Sequence, residues 1–211
     1  IPNPDLKWET TAETNIGLDF GFFNQRITGS VEYFHKNTYD PLFYKPLPAS
    51  TGFANQLVNF GSAVNKGLDF LLSSENISHH FFKWRTTLTV STLKNIVTQL
   101  PDFVPTPILG GTIGTFNSQY TEVNVGNPMY AFYGYKVAGV FQLGDNIAAS
   151  VQPNAHPGDL KFFDANKNGK IDAGDRMMLG SPFPKYVIGF NNNFSYKGFN
   201  FGNIGRKTRT L

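Results

Sequence analysis

The stretch DANKNGKIDAGD, residues 164–175, has oxygen-bearing side chains at positions 1, 3, 5, 9 and 12 and glycine at position 6. This is the spacing of a calcium loop. Asp164, Asn166 and Asn168 would supply side-chain oxygens, and Lys170 its backbone carbonyl, its ammonium turned away. Asp172 would act directly or through water. Asp175 stands where a bidentate Glu is usual and is one methylene shorter. Ile171 anchors the loop inward. The competing expectation is a metal-free Gly/Asn/Asp turn, which this composition also forms. The full ligand pattern favours calcium in a structural role, with no organic cofactor.

Other reactive residues are dispersed. His79 and His80 are neighbours, so on a strand they point to opposite faces, and a solvated turn suits them better than a metal. His35 and His156 have no evident ligand partners. Asp19, Glu32, Asp69 and Arg85 fall on polar faces and could line a lumen, which is expected to be polar in any case. No G-x-S-x-G motif or phosphate loop occurs, and no carboxylate spacing marks a glycosidase pair. Catalysis is therefore not expected. A net charge of +3, with Lys and Arg scattered, gives no basis for nucleic-acid binding. There are no cysteines, which excludes disulfides and thiolate metal sites.

The elements that must hold such a loop are strands. Ala12, Ile16, Leu18, Phe20 and Phe22 alternate with Glu13, Asn15, Gly17, Asp19 and Gly21. After a turn at Asn24-Gln25, Ile27, Val31 and Tyr33 alternate with Thr28, Ser30 and Glu32, which predicts a hairpin. Residues 39–62 contain Pro41, Pro46 and Pro48 and read as irregular. Val64, Leu68, Phe70 and Leu72 mark a third strand. A turn near 76–80 leads to a fourth, with Trp84, Leu88 and Val90 opposing Lys83, Arg85, Thr87, Thr89 and Ser91. Residues 96–182 read as one long irregular excursion. Beyond it Tyr186, Ile188, Phe190, Phe194 and Tyr196 alternate with polar residues, and a turn at Lys197-Gly198 starts a sixth strand at Phe199 and Phe201.

No run of ~18 apolar residues exists, which excludes a transmembrane helix but not membrane strands. The segments 12–23, 26–37, 82–93 and 185–196 are long enough to span a bilayer, which takes ~9–11 tilted residues. Connections run short, long, short, very long, short, the asymmetry of an outer-membrane barrel with long outer loops. The parity holds only if 96–182 is a single outer excursion, so FYGYKVAGVFQ is placed there as β-structure within a loop. The fold class is all-β: about six antiparallel strands of a larger transmembrane β-barrel with long extracellular loops. The alternatives are a secreted, calcium-stabilised β-sandwich that binds carbohydrate and, further off, a β-rich hydrolase.

NPDLKWETTAETNIGLDFGFFNQRITGSVEYF, PLPASTGF, LVNFGSAVNKGLDF, FYGYKVAGVFQ and GDLKFFDANKNGKIDAGDRMMLGSP followed by PKYVIGFNNNFSYKGF resemble, in order, the barrel of SusC/RagA-type TonB-dependent transporters. The resemblance implies a 22-stranded outer-membrane barrel with an N-terminal plug and a TonB-contact segment, importing glycans or peptides with a SusD-like surface lipoprotein. It divides the chain into a partial barrel at 1–205, with 96–182 as outer loop around 164–175, and an atypical basic tail at 206–211. Plug and TonB-contact segment are not in the sequence, which starts at Ile1 without signal peptide or Met and reads as processed or truncated. Where the family continues an apolar strand, GNIGRKTRTL is basic, and a frameshifted or prematurely ended reading frame is expected. Six strands alone would leave two open edges, which lipid does not tolerate.

Overall fold

The computed structural model describes residues 3–47, 49–101, 107–113 and 116–209. These form two compact units. One comprises residues 1–105, 124–128 and 183–211, the other 106–123 and 129–182.

The first unit is built on β1 (Thr10–Phe22), β2 (Ile27–Tyr39), β5 (Ser62–Ser78), β6 (Phe82–Thr92), β14 (Tyr186–Tyr196) and β15 (Phe199–Arg209), hydrogen-bonded in that order. Every pairing is antiparallel. These are the six strands that two-residue alternation predicts. β7 (Lys94–Gln99) prolongs β6 along β5 past the end of β14. Within 39–62, expected to be irregular, a small hairpin forms from β3 (Leu42–Pro46) and β4 (Asn55–Asn59). Pro46, which has no N–H to give, is the last residue of β3 opposite Asn55, one further bond from Leu47 N to Ala54 O at 2.9 Å closes the pair, and Pro48 lies outside the described residues.

Because directly paired residues share a face, the register assigns the sides. Leu18, Val31, Phe70, Val90 and Ile188 form one row, and Phe20, Gly29, Leu72, Leu88 and Phe190 the next. Glu32, Asp69 and Ser91 lie on the opposite face. The turns are tight: Asn24 and Gln25 have φ of 54° and 66°, and Lys197 and Gly198 have 47° and 88°. The second turn matches the twist of a two-residue hairpin. The turn expected near 76–80 falls at 79–81, because Asn76 and Ile77 remain in β5 around a bulge.

The basic ending departs from its expected separation. β15 pairs with β14 through Tyr186↔Arg209, and Lys207 lies beside Ile188 on the apolar face. Stagger explains it. On β15 the apolar pair is Phe199 and Phe201, two same-face rows nearer the turn than the row of Phe22, which continues as Ile27, Ser74, Thr86, Asn192 and Asn203. With strands ~4.8 Å apart and tilted ~40°, a row climbs about 3 Å per strand, about 15 Å from β1 to β15. Lys207 and Arg209 lie at the end of β15 away from its turn with β14, and long basic side chains near a strand end can extend toward water. Residues 210–211 lie outside the described residues.

The second unit corrects the expectation of an irregular excursion. β13 (Arg176–Gly180), β10 (Ala131–Tyr135), β9 (Phe116–Val123) and β8 (Ile108–Ile113) form a four-stranded sheet in that order. β11 (Val137–Val140) pairs with β12 (Leu160–Phe162). FYGYKVAGVFQ supplies β10 and β11, as expected. Val123, Ala131 and Phe141 are buried. Residues 142–157 are closed at their base by Phe141 N donating to Asp159 O at 3.0 Å and Gly158 N to Phe141 O at 2.8 Å.

Candidate functional site: the 164–175 loop and the polar wall

The loop follows β12 and leads into β13, so strands rather than helices fix its ends. Its polar side chains turn inward onto its own backbone. Asp164 Oδ1 accepts from Asn168 N at 3.2 Å, and Oδ2 from Gly169 N at 2.9 Å. Asn166 Oδ1 accepts from the same Asn168 N–H at 3.0 Å, so positions 1 and 3 meet. Asn168 Oδ1 accepts from Lys170 N at 3.1 Å. Gly169, at φ +84°, makes the sharp turn available. Asp172 caps a single 3₁₀ turn (Ala173–Asp175): its Oδ1 accepts from Gly174 N at 2.8 Å, and Asp175 Oδ2 accepts from Asp172 N at 2.8 Å.

Asp175 is fully buried. Its Oδ1 accepts from Ala165 N at 2.8 Å and Asn166 N at 3.3 Å. Asp175 therefore ties the end of the loop to its beginning despite its shorter side chain. The structure brings Asp164, Asn166, Asn168, Asp172 and Asp175 together in one hydrogen-bonded ring. Lys170 differs from expectation. Its ammonium turns back to Asp172, with Nζ 3.2 Å from Oδ2, because that carboxylate is the nearest negative charge. Among the described residues no three His, Cys, Asp or Glu side chains form a metal-holding group. A cation here would depend on the amide oxygens of Asn166 and Asn168 and the Lys170 carbonyl as well. These are hard oxygen donors of the kind calcium takes.

The Asp172 and Asp175 carboxyls are held below the usual aspartate range. For Asp175 the main cause is the Asp172 N–H, with Asn166 and Ala165 adding to it; for Asp172 it is the Gly174 N–H, then Lys170 and Asn168. A carboxyl made more acidic by folding stabilises the fold above its unfolded value of ~3.9, and that contribution is lost as pH falls through the lowered folded value. With a chelator present, hydrogen exchange of residues 164–175 should stay level from about pH 7 to 5 and accelerate below about pH 4, once corrected for intrinsic rates. Protection unchanged at pH 3 would contradict this role.

Asp19, Glu32, Asp69 and Arg85 share the polar face of the first unit, and Glu32 and Asp69 are direct cross-strand neighbours. Asn15 Nδ2 donates to Glu32 and Ser91 Oγ to Asp69. Arg85 lies opposite Glu75. His35 contacts Tyr33 Oη at 3.3 Å and Asn37 Oδ1 at 3.1 Å, and the His80 ring meets Phe81 edge-on. These are strand and turn contacts, not ligand sets. Sequence reasoning missed a polar chain on the apolar face. Ser74 Oγ donates to Asn76, Asn76 Nδ2 to Thr86, and Thr86 Oγ1 to Asn192 at 2.7 Å; Trp84 Nε1 also donates to Asn192, at 3.0 Å. The visible signal was Asn191-Asn192-Asn193, which breaks the alternation.

The family model "TonB dependent receptor-like, beta-barrel" matches residues 1–150. TonB-dependent receptor P3 of Formosa agariphila is 36% identical over 200 residues, covering 93% of this chain and 20% of the relative. TonB-dependent receptor SusC of Bacteroides thetaiotaomicron is 31% identical over 204 residues, covering 94% of this chain and 19% of the relative. A structure of the RagAB peptide transporter superposes with a TM-score of 0.71 at 23% identity, over 98% of this chain and 22% of that one, and so shares the fold. The chain spans about one fifth of the length of these relatives. Six long antiparallel strands with one apolar and one polar face, the first four of them within the 150 residues that the model matches, make this chain a member of the TonB-dependent receptor β-barrel family, a family of outer-membrane proteins.

Proposed function

We propose that the intact protein imports glycans or peptides across the outer membrane, with TonB supplying the energy and a SusD-like surface lipoprotein as partner. The observation that carries this reading is the two-sided sheet in a chain of this family, similar to SusC along nearly its whole length. The apolar face would meet lipid. The face bearing Asp19, Glu32, Asp69 and Arg85 would line the passage. Chemistry on the cargo is not part of this role. The β-sandwich alternative loses its basis with membership of a barrel family. The test is uptake of fluorescent oligosaccharides and oligopeptides by cells with and without the intact receptor, with and without a protonophore. Energy-dependent uptake of one class that disappears with the receptor is expected. Unchanged uptake of both classes would overturn the proposal.

The loop at 164–175 adds calcium as a structural ligand in this reading. Asp164, Asn166, Asn168, the Lys170 carbonyl, Asp172 and Asp175 would hold the ion, which pins a long outer loop. The support is the inward turn of the Asp and Asn side-chain oxygens and a buried Asp175 met, among the described residues, by backbone N–H groups. Calcium outside the cell is abundant, so an affinity of ~10⁻⁴–10⁻³ M is enough.

A further inference from the structure

Beside the loop, within the second unit, lies a groove of ≈ 650 Å³ lined by residues 151–155, Asp159, Leu160 and Phe162 of β12, and Lys170 and Ile171. It is preformed. Gln152 joins two of its walls: Nε2 donates to Leu160 O at 3.1 Å, and Oε1 accepts from Phe162 N at 2.7 Å. One side chain thus takes the place of a strand partner along the edge of β12. Ser150 Oγ in turn accepts from Gln152 N at 3.1 Å. With Gln152 committed to this bracing, the groove keeps an apolar floor of Val151, Pro153, Leu160, Phe162 and Ile171.

Its charges are unequal. Asp159 is engaged by His156, whose backbone N donates to Oδ2 at 2.8 Å and whose Nδ1 lies 3.8 Å away. The other charged group on the lining is Lys170. Its side chain is two-thirds exposed, and its ammonium rests on Asp172, whose side chain is over one-third exposed. Lys170 therefore belongs to two places at once, the cation loop and the groove. A divalent ion held by Asp172 would compete for the same carboxylate and repel the ammonium. Lys170 lines the groove, so its four-carbon arm could carry the displaced charge over it.

We infer that this groove is a calcium-dependent binding site for a carboxylate-bearing ligand, with the Lys170 ammonium receiving the carboxylate and the apolar floor its sugar ring or side chain. The inference rests on the calcium reading of the loop given above. A lone ammonium is a compact point charge suited to one anionic group, and Asp159, also on the lining, disfavours a second. Sugar acids and peptide carboxylates share this chemistry.

The experiment uses the intact receptor in detergent. Terbium titration reports on the loop, with Asp164→Ala as its reference. Calorimetric binding of digalacturonate and of a leucyl dipeptide, each against its methyl ester or amide, is measured in ~1 mM calcium and in chelator. The expected result is affinity about two- to five-fold tighter in calcium for an acid form, as an exposed ion pair supplies, with no gain for its neutral analogue. Lys170→Met should remove the calcium effect, and Lys170→Arg should keep it. A response to one acid alone identifies the source of the carboxylate. Terbium binding without a calcium effect, or a calcium effect that survives Lys170→Met, overturns the inference alone. Absence of terbium binding overturns the calcium reading and the inference with it.

Discussion

Replacing Phe190 with Arg should lower the stability of the intact receptor in a bilayer by about 2–4 kcal/mol, roughly a 30- to 1000-fold shift between inserted and unfolded forms. Phe190 pairs with Leu88 on one side and Gly205 on the other, in the middle of the apolar face, and is 47% exposed in this sheet. Its neighbours along that face are Ile188 and the polar Asn192. A guanidinium there has no anionic partner and must reach the interface past other side chains. The neighbouring change, Asn191→Arg, is the control. Asn191 lies on the polar face opposite Thr87 and Ile204, and its Oδ1 makes no hydrogen bond among the described residues, so its loss breaks none. Urea titration of folding into vesicles, read by the heat-modifiable band, should show a large shift for Phe190→Arg and a small one for Asn191→Arg. Equal shifts would mean that neither face meets lipid, and the membrane assignment would fall.

The contrast between those two adjacent residues was legible in the sequence because the side-chain period of a strand is two. Phe190 and Asn191 fall on opposite faces in any register. The same rule located all six long strands, since each carries several alternating pairs. It failed where elements are short. β12 has three residues and β11 four, and Gly134 and Gly139 interrupt the pattern, so residues 96–182 looked irregular although strands run through them. It also failed where one residue is inserted. The bulge between Glu75 and Ile77 carries Ile77, which alternation puts on the polar face, opposite Trp84 on the apolar one, and no local pattern announces a bulge. The ligand spacing of the 164–175 loop was readable because each position has its own geometric duty. The direction of the Lys170 side chain was not, because it depends on which charge lies nearest after folding. Lys207 and Arg209 looked foreign to a membrane strand because sequence does not show how far β15 is displaced relative to β1. The register places them at the end of β15 away from its turn.

The second large effect belongs to a glycine that alternation treats as just another polar-face position. Gly67→Ala should destabilise the folded receptor by about 1–3 kcal/mol or more through overpacking, whereas Gly17→Ala should leave it nearly unchanged. Both residues sit on the polar face of long strands, and neither has a positive φ, so conformational freedom does not separate them. Space does. A Cβ on Gly17 would meet nothing nearer than Val31 O at 3.9 Å, an ordinary contact. A Cβ on Gly67 would lie 2.0 Å from Thr92 O and 2.7 Å from Phe34 Cζ. The Phe34 ring could rotate, but the carbonyl could not, because its position is set by the break between β6 and β7 at Leu93. There the Thr92 hydroxyl replaces a ladder partner, accepting from Leu68 N at 2.9 Å and donating to Leu68 O at 3.3 Å. Relieving the clash would part β5 from the β6–β7 junction, where the membrane sheet ends and β7 continues alone along β5. The midpoint of urea unfolding for the two alanine variants, made in the same receptor and refolded into the same vesicles, measures the difference. Similar midpoints would show that the junction yields, and that Gly67 is not what allows β6 to turn into β7.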